Sequence, residues 1–325
     1  MTPGSEPIAH GGALSEAMAR YGGTASEWLD LSTGISPFTL PLPELTLNSW
    51  RRLPEQAEVL QVCDLAMQHY GGSVMPVAVP GTQAAIQLLP WLTPDAEKVA
   101  IVSPTFAEYE QSYHRMNVSV EPIRTLEAAA GTGADAVVLV NPNNPDGRET
   151  PRDDVFGFAR AHRRKLVIID EAFADMRQDL SMAGAAGMEP NLVVLRSFGK
   201  FFGLAGLRLG FVFAQPRLAA IVNERMGPWA VSGPALAIAT HAFSRIDLVE
   251  ELRRKIEIAN AMTRSALNKA CVPIVGETAL FFYCEVGDGA AVREALASHK
   301  VLVRAFDHSP SRIRIGLAPD ELSAV

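Results

Sequence analysis

The chain has 325 residues, enough for two domains or one large one, and its 48% apolar and 20% charged residues exclude wholesale disorder. Its 29 Lys and Arg against 36 Asp and Glu leave a net charge of −7, which argues against a nucleic-acid partner, because phosphates are neutralised by clustered cations. Three widely spaced cysteines (Cys63, Cys271, Cys284) without a CxxC indicate neither a disulfide framework nor a thiolate metal site, and read as buried small apolar residues in a reducing compartment.

The N-terminal MTPGSEPIAHGG has no basic end and no apolar stretch, so no secretory signal is expected. Residues 1–40 are rich in glycine and proline and read as an arm outside any central sheet. The uncharged run 71–94 is interrupted by Pro76, Pro80, Gly81 and Pro90, which predicts strand, turn and helix rather than a membrane span. A soluble, cytoplasmic protein is expected. Continuous apolar runs at 99–102, 136–140, 166–169 and 192–195 alternate with helix-compatible segments such as 152–164. That texture predicts a mostly parallel sheet buried on both faces. LRLGFVF at 207–213 predicts one further strand. GPWAVSGPA from Gly227 reads as a hinge, followed by one long helix over 234–270 and then by ALFFYCEV, AAVREALASH, VLVRAF and RIRIGL, a smaller α+β unit. The expected division is an arm at 1–40, a large domain at 41–226 and a small domain at 227–325.

Ligands of such sheets collect at the carboxyl ends of the strands. Asn144 follows the run AVVLV, Asp170 follows LVII, and Lys200 follows LVVL and RSFG. The steps are 26 and 30 residues, each close to one βα unit, so an amide, a carboxylate and an amine are delivered to one edge. Singly, these are a turn residue, a helix N-cap and a surface lysine. Jointly, with Arg208 opening the next strand, they point to chemistry.

NPNNPDG, DEAF and SFGKFFGLAGLRLG together resemble the fold-type I aminotransferase superfamily, whose members use pyridoxal 5'-phosphate (PLP). The resemblance implies an α/β fold with a large domain of mostly parallel sheet, a smaller C-terminal domain and an N-terminal arm. It implies that Lys200 bonds the cofactor, Asp170 pairs with its pyridinium nitrogen and Asn144 touches its phenolic oxygen. Ser197 and Arg208 match phosphate ligands, as do Gly81, Thr82 and Gln83 at a helix entry, where backbone N–H groups bind anions. Phe106 matches the aromatic ring stacked on the cofactor. Lysine is a competent Schiff-base nucleophile, and guanidinium forks onto phosphate. Two departures stand out. Phe173 replaces a tyrosine, leaving Asn144 as the partner of the phenolic oxygen, and Leu53 replaces a tyrosine that reaches the neighbouring subunit in a homodimer.

SRIRIGL resembles the motif whose arginine binds the substrate carboxylate, which falls on Arg312, with Arg314 alternating nearby and an ion pair as its other reading. His10-Gly11-Gly12 followed by LDLSTGISP resembles the L-threonine-O-3-phosphate decarboxylases of cobalamin biosynthesis, placing His10 by a substrate phosphate and Gly34 in a substrate loop. The implied partner is a small phosphorylated amino acid. Histidinol-phosphate aminotransferases share these motifs, and a PLP-fold subunit that only binds is the remaining reading.

Overall fold

The computed structural model describes residues 11–319. Residues 38–255 form one compact unit, and the segments before and after them form a second. The N-terminal segment contributes a helix, Leu14–Tyr21, and strand β1 (Leu29–Asp30) to the smaller unit.

The larger unit carries β2 (Val77–Val79), β3 (Lys98–Val102), β4 (Ser119–Ile123), β5 (Ala136–Val140), β6 (Leu166–Asp170), β7 (Leu192–Ser197) and β8 (Gly210–Ala214). They form one seven-stranded sheet in the order β2-β8-β7-β6-β5-β3-β4. Pairing is parallel from β7 through β4, while β8 is antiparallel to both its neighbours. Every residue of β5, β6 and β7 is buried, which is why these strands read as unbroken apolar runs up to their polar ends. Val138, Ile168, Val193 and Val212 pack with Ile86 of helix Thr82–Leu88 and Tyr109 of helix Glu108–His114 in the main core cluster.

The smaller unit holds β9 (Ile274–Thr278), β10 (Phe281–Glu285), β11 (Val301–Leu302), β12 (Arg304–Phe306) and β13 (Ser309–Gly316), with helix Gly289–Ser298. Four of these strands form an antiparallel sheet in the order β12-β13-β10-β9. β1 pairs in parallel with β11, and Ala17 and Trp28 pack with Ala297. The N-terminal segment is thus bound into the smaller unit through pairing of residues far apart in sequence, not a separate arm.

Four local expectations change. The helical run 234–270 is two helices, Gly233–Ser244 and Ile246–Lys269, broken at Arg245 (φ −116°, ψ 71°). Arg245 forks onto Asp247 from Nε and Nη2 at 2.9 and 2.7 Å, and its carbonyl accepts the first amides of the second helix. The division between units falls inside that second helix rather than at Gly227. The strand expected over 207–213 begins at Gly210, because Arg208 adopts a left-handed conformation (φ 54°) after a 3-10 turn at Ala205–Leu207. All three cysteines are free, with Cys63 and Cys284 buried but Cys271 exposed. Among the described residues no helix is long and apolar enough to cross a membrane.

Candidate active site

Val140 at the end of β5 lies opposite Asp170 on β6, and Asp170 lies opposite Leu195 on β7. Asn144, Asp170 and Lys200 therefore leave one edge of three adjacent parallel strands, Lys200 from helix Phe198–Phe201. The other two asparagines of NPNNPDG build the turn. Asn141 donates to Thr150 O and accepts from its amide, both at 2.9 Å. Asn143 donates to Pro104 O at 2.9 Å and Asp146 Oδ1 at 2.7 Å, and accepts from Thr105 Oγ1 at 2.7 Å. Asn144, directly after Asn143, is half-buried.

Asp170 is buried. Its Oδ1 accepts the Ala172 amide at 3.0 Å and its Oδ2 accepts the Tyr109 hydroxyl at 2.7 Å. Burial pushes its carboxyl above the usual carboxylate range, opposed by those two hydrogen bonds and by the Lys200 charge, while Glu171 adds to the rise. Lys200 Nζ stands 5.7 Å from the centroid of the Phe173 ring.

The phosphate candidates converge as well. An added Cβ at Gly81 (φ +79°) would meet the Arg208 guanidinium, and one at Gly210 would lie 2.9 Å from the Thr82 amide nitrogen. Gly210 also pairs with Ser197 across β7 and β8. Gly81 thus neighbours Arg208, and Thr82 and Ser197 both neighbour Gly210, which gathers two hydroxyl residues, a guanidinium and helix-entry amides. The Gln83 side chain turns elsewhere, donating to Glu108 Oε2 at 2.6 Å, so its backbone amide is what it offers there. Phe106 is half-buried, its ring edge-on to Tyr109 with centroids 6.4 Å apart.

A buried charge cluster on the opposite side of these strand ends escaped the sequence reading. Arg196 Nη1 donates to Glu171 Oε2 at 2.9 Å, its Nη2 lies 3.3 Å from Asp175 Oδ1, and the guanidinium stands 4.3 Å from the Tyr70 ring centroid. Strand alternation held the signal: a residue next to Ser197 must face the other way.

Within the smaller unit, Arg312 and Arg314 separate. Arg312 is half-exposed and donates from Nε to Glu285 Oε2 at 2.9 Å. Arg314 is buried and donates from Nη2 to Ser32 O at 2.6 Å. Burial, and then the charge of Arg304, lowers its pKa to about 10, with Asp30 opposing. Arg304 lies opposite Arg314 across β12 and β13, a cation that the sequence reading passed over although VLVRAF placed it on a strand. Gly34 (φ +60°) sits two residues beyond Ser32 in the same buried loop. His10 lies outside the described residues.

A family model described as aminotransferase class I and II matches residues 50–322. A threonine-phosphate decarboxylase of Sinorhizobium sp is 41% identical over 322 residues, covering 97% of this chain and 95% of that protein. A threonine-phosphate decarboxylase of Pseudomonas aeruginosa is 37% identical over 318 residues, covering 97% and 94%. The solved histidinol-phosphate aminotransferase from Sinorhizobium meliloti, in complex with pyridoxal-5'-phosphate, matches with a TM-score of 0.81 at 21% identity, over 98% of this chain and 92% of that one, a likeness of fold.

Proposed function

The chain belongs to the class I and II aminotransferase family, and on that premise we propose that it decarboxylates L-threonine O-3-phosphate to (R)-1-aminopropan-2-yl phosphate and CO2, using PLP. The observation that carries the reading is 41% identity to a threonine-phosphate decarboxylase across nearly the full chain. The larger unit fits the cofactor: a buried carboxylate, an amine and an amide leave adjacent strand ends, beside a cradle that a Cβ on Gly81 would fill.

In this reading Gly81, Thr82, Gln83, Ser197 and Arg208 hold the PLP phosphate, Phe106 covers the ring, Asn144 holds the phenolic oxygen and Lys200 carries the covalent link. PLP supplies a sink for the electron pair left when the bond from Cα to the carboxylate breaks. Asp170 keeps a proton on the ring nitrogen, and the Lys200 amine delivers a proton to Cα after CO2 departs. Arg314 is the candidate for the substrate carboxylate, because its side chain is buried against a backbone carbonyl, whereas Arg312 is already neutralised by Glu285. Arg304 adds a second cation for a substrate that carries two anionic groups. His10 and Gly34 remain candidates for the substrate phosphate and its loop.

The same reading places the enzyme in cobalamin biosynthesis, in the cytoplasm, as a homodimer. Free cysteines support the compartment. Exposed Leu42, Leu47, Trp50 and Leu53, clustered in sequence, support an apolar subunit contact.

The test incubates PLP-loaded protein with L-threonine O-3-phosphate, with and without 2-oxoglutarate, and identifies products by mass spectrometry. Aminopropanol phosphate formed without a keto acid is expected. Turnover that needs the keto acid and yields glutamate would replace decarboxylation with transamination.

A further inference from the structure

We propose that Tyr109 is a positioning residue for the cofactor, its hydroxyl holding the Asp170 carboxylate in place and anionic. The inference rests on the PLP reading above and deepens it.

Tyr109 is fully buried on helix Glu108–His114, three residues after Phe106. Its Oη donates to Asp170 Oδ2 at 2.7 Å, a bond between residues 61 positions apart. The Ala172 amide donates to Oδ1 of the same carboxylate at 3.0 Å. The charged groups acting on Asp170 are Glu171, next to it in the chain, and Lys200, from helix Phe198–Phe201. They oppose one another, so hydrogen bonding decides how far burial protonates the acid.

An O–H donated to a carboxylate is a charge-assisted bond and stabilises the ionised form. Burial, then the Asp170 charge, raises the Tyr109 phenol well above its usual range, so it stays protonated and donates at every working pH. A protonated Asp170 loses the anionic charge that favours a proton on the ring nitrogen. The same tyrosine ring meets Phe106 edge-on, so one side chain braces both the acid and the aromatic residue proposed to cover the ring.

Tyr113 supplies a matched control. It lies on the same helix, is fully buried, and its hydroxyl has no hydrogen-bond partner among the described residues. Tyr109→Phe and Tyr113→Phe each delete one oxygen and leave the ring. PLP affinity of the apo forms is measured by fluorescence titration across pH, with thermal melts confirming folding. Tyr109→Phe is expected to weaken PLP about tenfold at neutral pH and to move the acid limb of binding to higher pH. Tyr113→Phe is expected to match the wild type in both.

A PLP analogue with C–H in place of the ring nitrogen separates positioning from general damage. The penalty of Tyr109→Phe should vanish with this analogue, since the contact that Asp170 makes is gone. An equal penalty with both cofactors, or a Tyr109→Phe curve indistinguishable from Tyr113→Phe, would overturn the proposal. If Tyr109→Phe fails to fold, the same comparison is made on the wild type with tyrosine replaced throughout by a fluorinated tyrosine of lower phenol pKa, where an unchanged acid limb overturns it. Wild-type protein that binds no PLP would overturn the cofactor reading, and this inference with it, an outcome distinct from the others.

Discussion

Arg196 donates to Glu171 at 2.9 Å with both side chains withdrawn from solvent, each adjacent in sequence to a residue of the proposed cofactor site, Ser197 and Asp170. Glu171 also accepts from Ser181 Oγ at 2.7 Å and from the Met182 amide at 2.5 Å. The pair therefore ties the end of β6 to the end of β7 and to the segment beyond. Alternation along β7 puts Arg196 on the opposite face from Ser197. The larger unit thus carries polar groups on both sides of its strand ends, one side bearing the proposed cofactor residues and the other paired within the protein.

Removing Arg196 leaves the buried carboxylates of Glu171 and Asp175 without their shared cation. Arg196→Met is expected to lower stability by about 3–5 kcal/mol, measured from urea denaturation midpoints. Replacing Arg196, Glu171 and Asp175 together with apolar residues of similar size should recover much of that loss, because the desolvation penalty disappears with the charges. Equal losses in the single and triple variants would show that the charge cluster is not the origin of the effect.

Gly81 and Arg208 form the second tight relationship. A Cβ at Gly81 would lie 2.5 Å from Arg208 Nη2 and 2.9 Å from Cζ, at a φ of +79° that favours glycine. Gly81→Ala must therefore displace the guanidinium as well as strain the backbone. PLP affinity is expected to fall about tenfold or more, comparable to Arg208→Ala, with the strain adding about 1 kcal/mol of destabilisation. Fluorescence titration of the apo protein checks the first effect and a thermal melt the second. Unaltered affinity in Gly81→Ala would remove this pair from the phosphate site.

The two arginines of SRIRIGL should differ in their response to substitution. Arg312 is half-exposed and paired with Glu285, a surface ion pair that solvent screens. Arg314 is buried, with Ser32 O at 2.6 Å and Arg304 opposite it. Arg314→Ala is expected to reduce kcat/KM by about 2–5 kcal/mol of transition-state stabilisation, and Arg312→Ala by far less. The reverse order in steady-state kinetics would return the carboxylate role to Arg312.

The strand-end amide, acid and amine could be read from the chain because each follows an apolar run buried on both faces, and such runs have few alternatives. The spacing between them is the length of a βα unit, which is local information. Other features had no such signal. The break at Arg245 depends on a two-residue fork with Asp247 inside an otherwise helical pattern. The left-handed Arg208 carries no glycine to announce it. Docking of β1 on β11 joins residues 29–30 to 301–302, a pairing that two-residue strands cannot encode by periodicity. The bond from Tyr109 to Asp170 is likewise a product of tertiary packing.

His69 should make the protein acid-sensitive apart from any effect at the proposed active site. Its ring lies 4.8, 5.8 and 4.9 Å from those of Tyr70, Phe202 and Phe243, and its Nε2 is buried without a hydrogen-bond partner among the described residues. Burial, together with the charges of Arg196 and Arg253, lowers its pKa from 6.5 to about 3. Above the unfolded value both states are neutral and the residue contributes no pH dependence. As the pH falls below about 6.5 the unfolded chain takes up a proton that the folded chain refuses, so stability declines by at most about 1.4 kcal/mol per pH unit until about pH 3. His69→Phe keeps an aromatic ring in the cluster and removes the titration. Its stability, followed by urea denaturation from pH 7 to pH 4, is expected to fall less steeply than that of the wild type. Parallel slopes for the two proteins would mean that His69 is not the group being titrated.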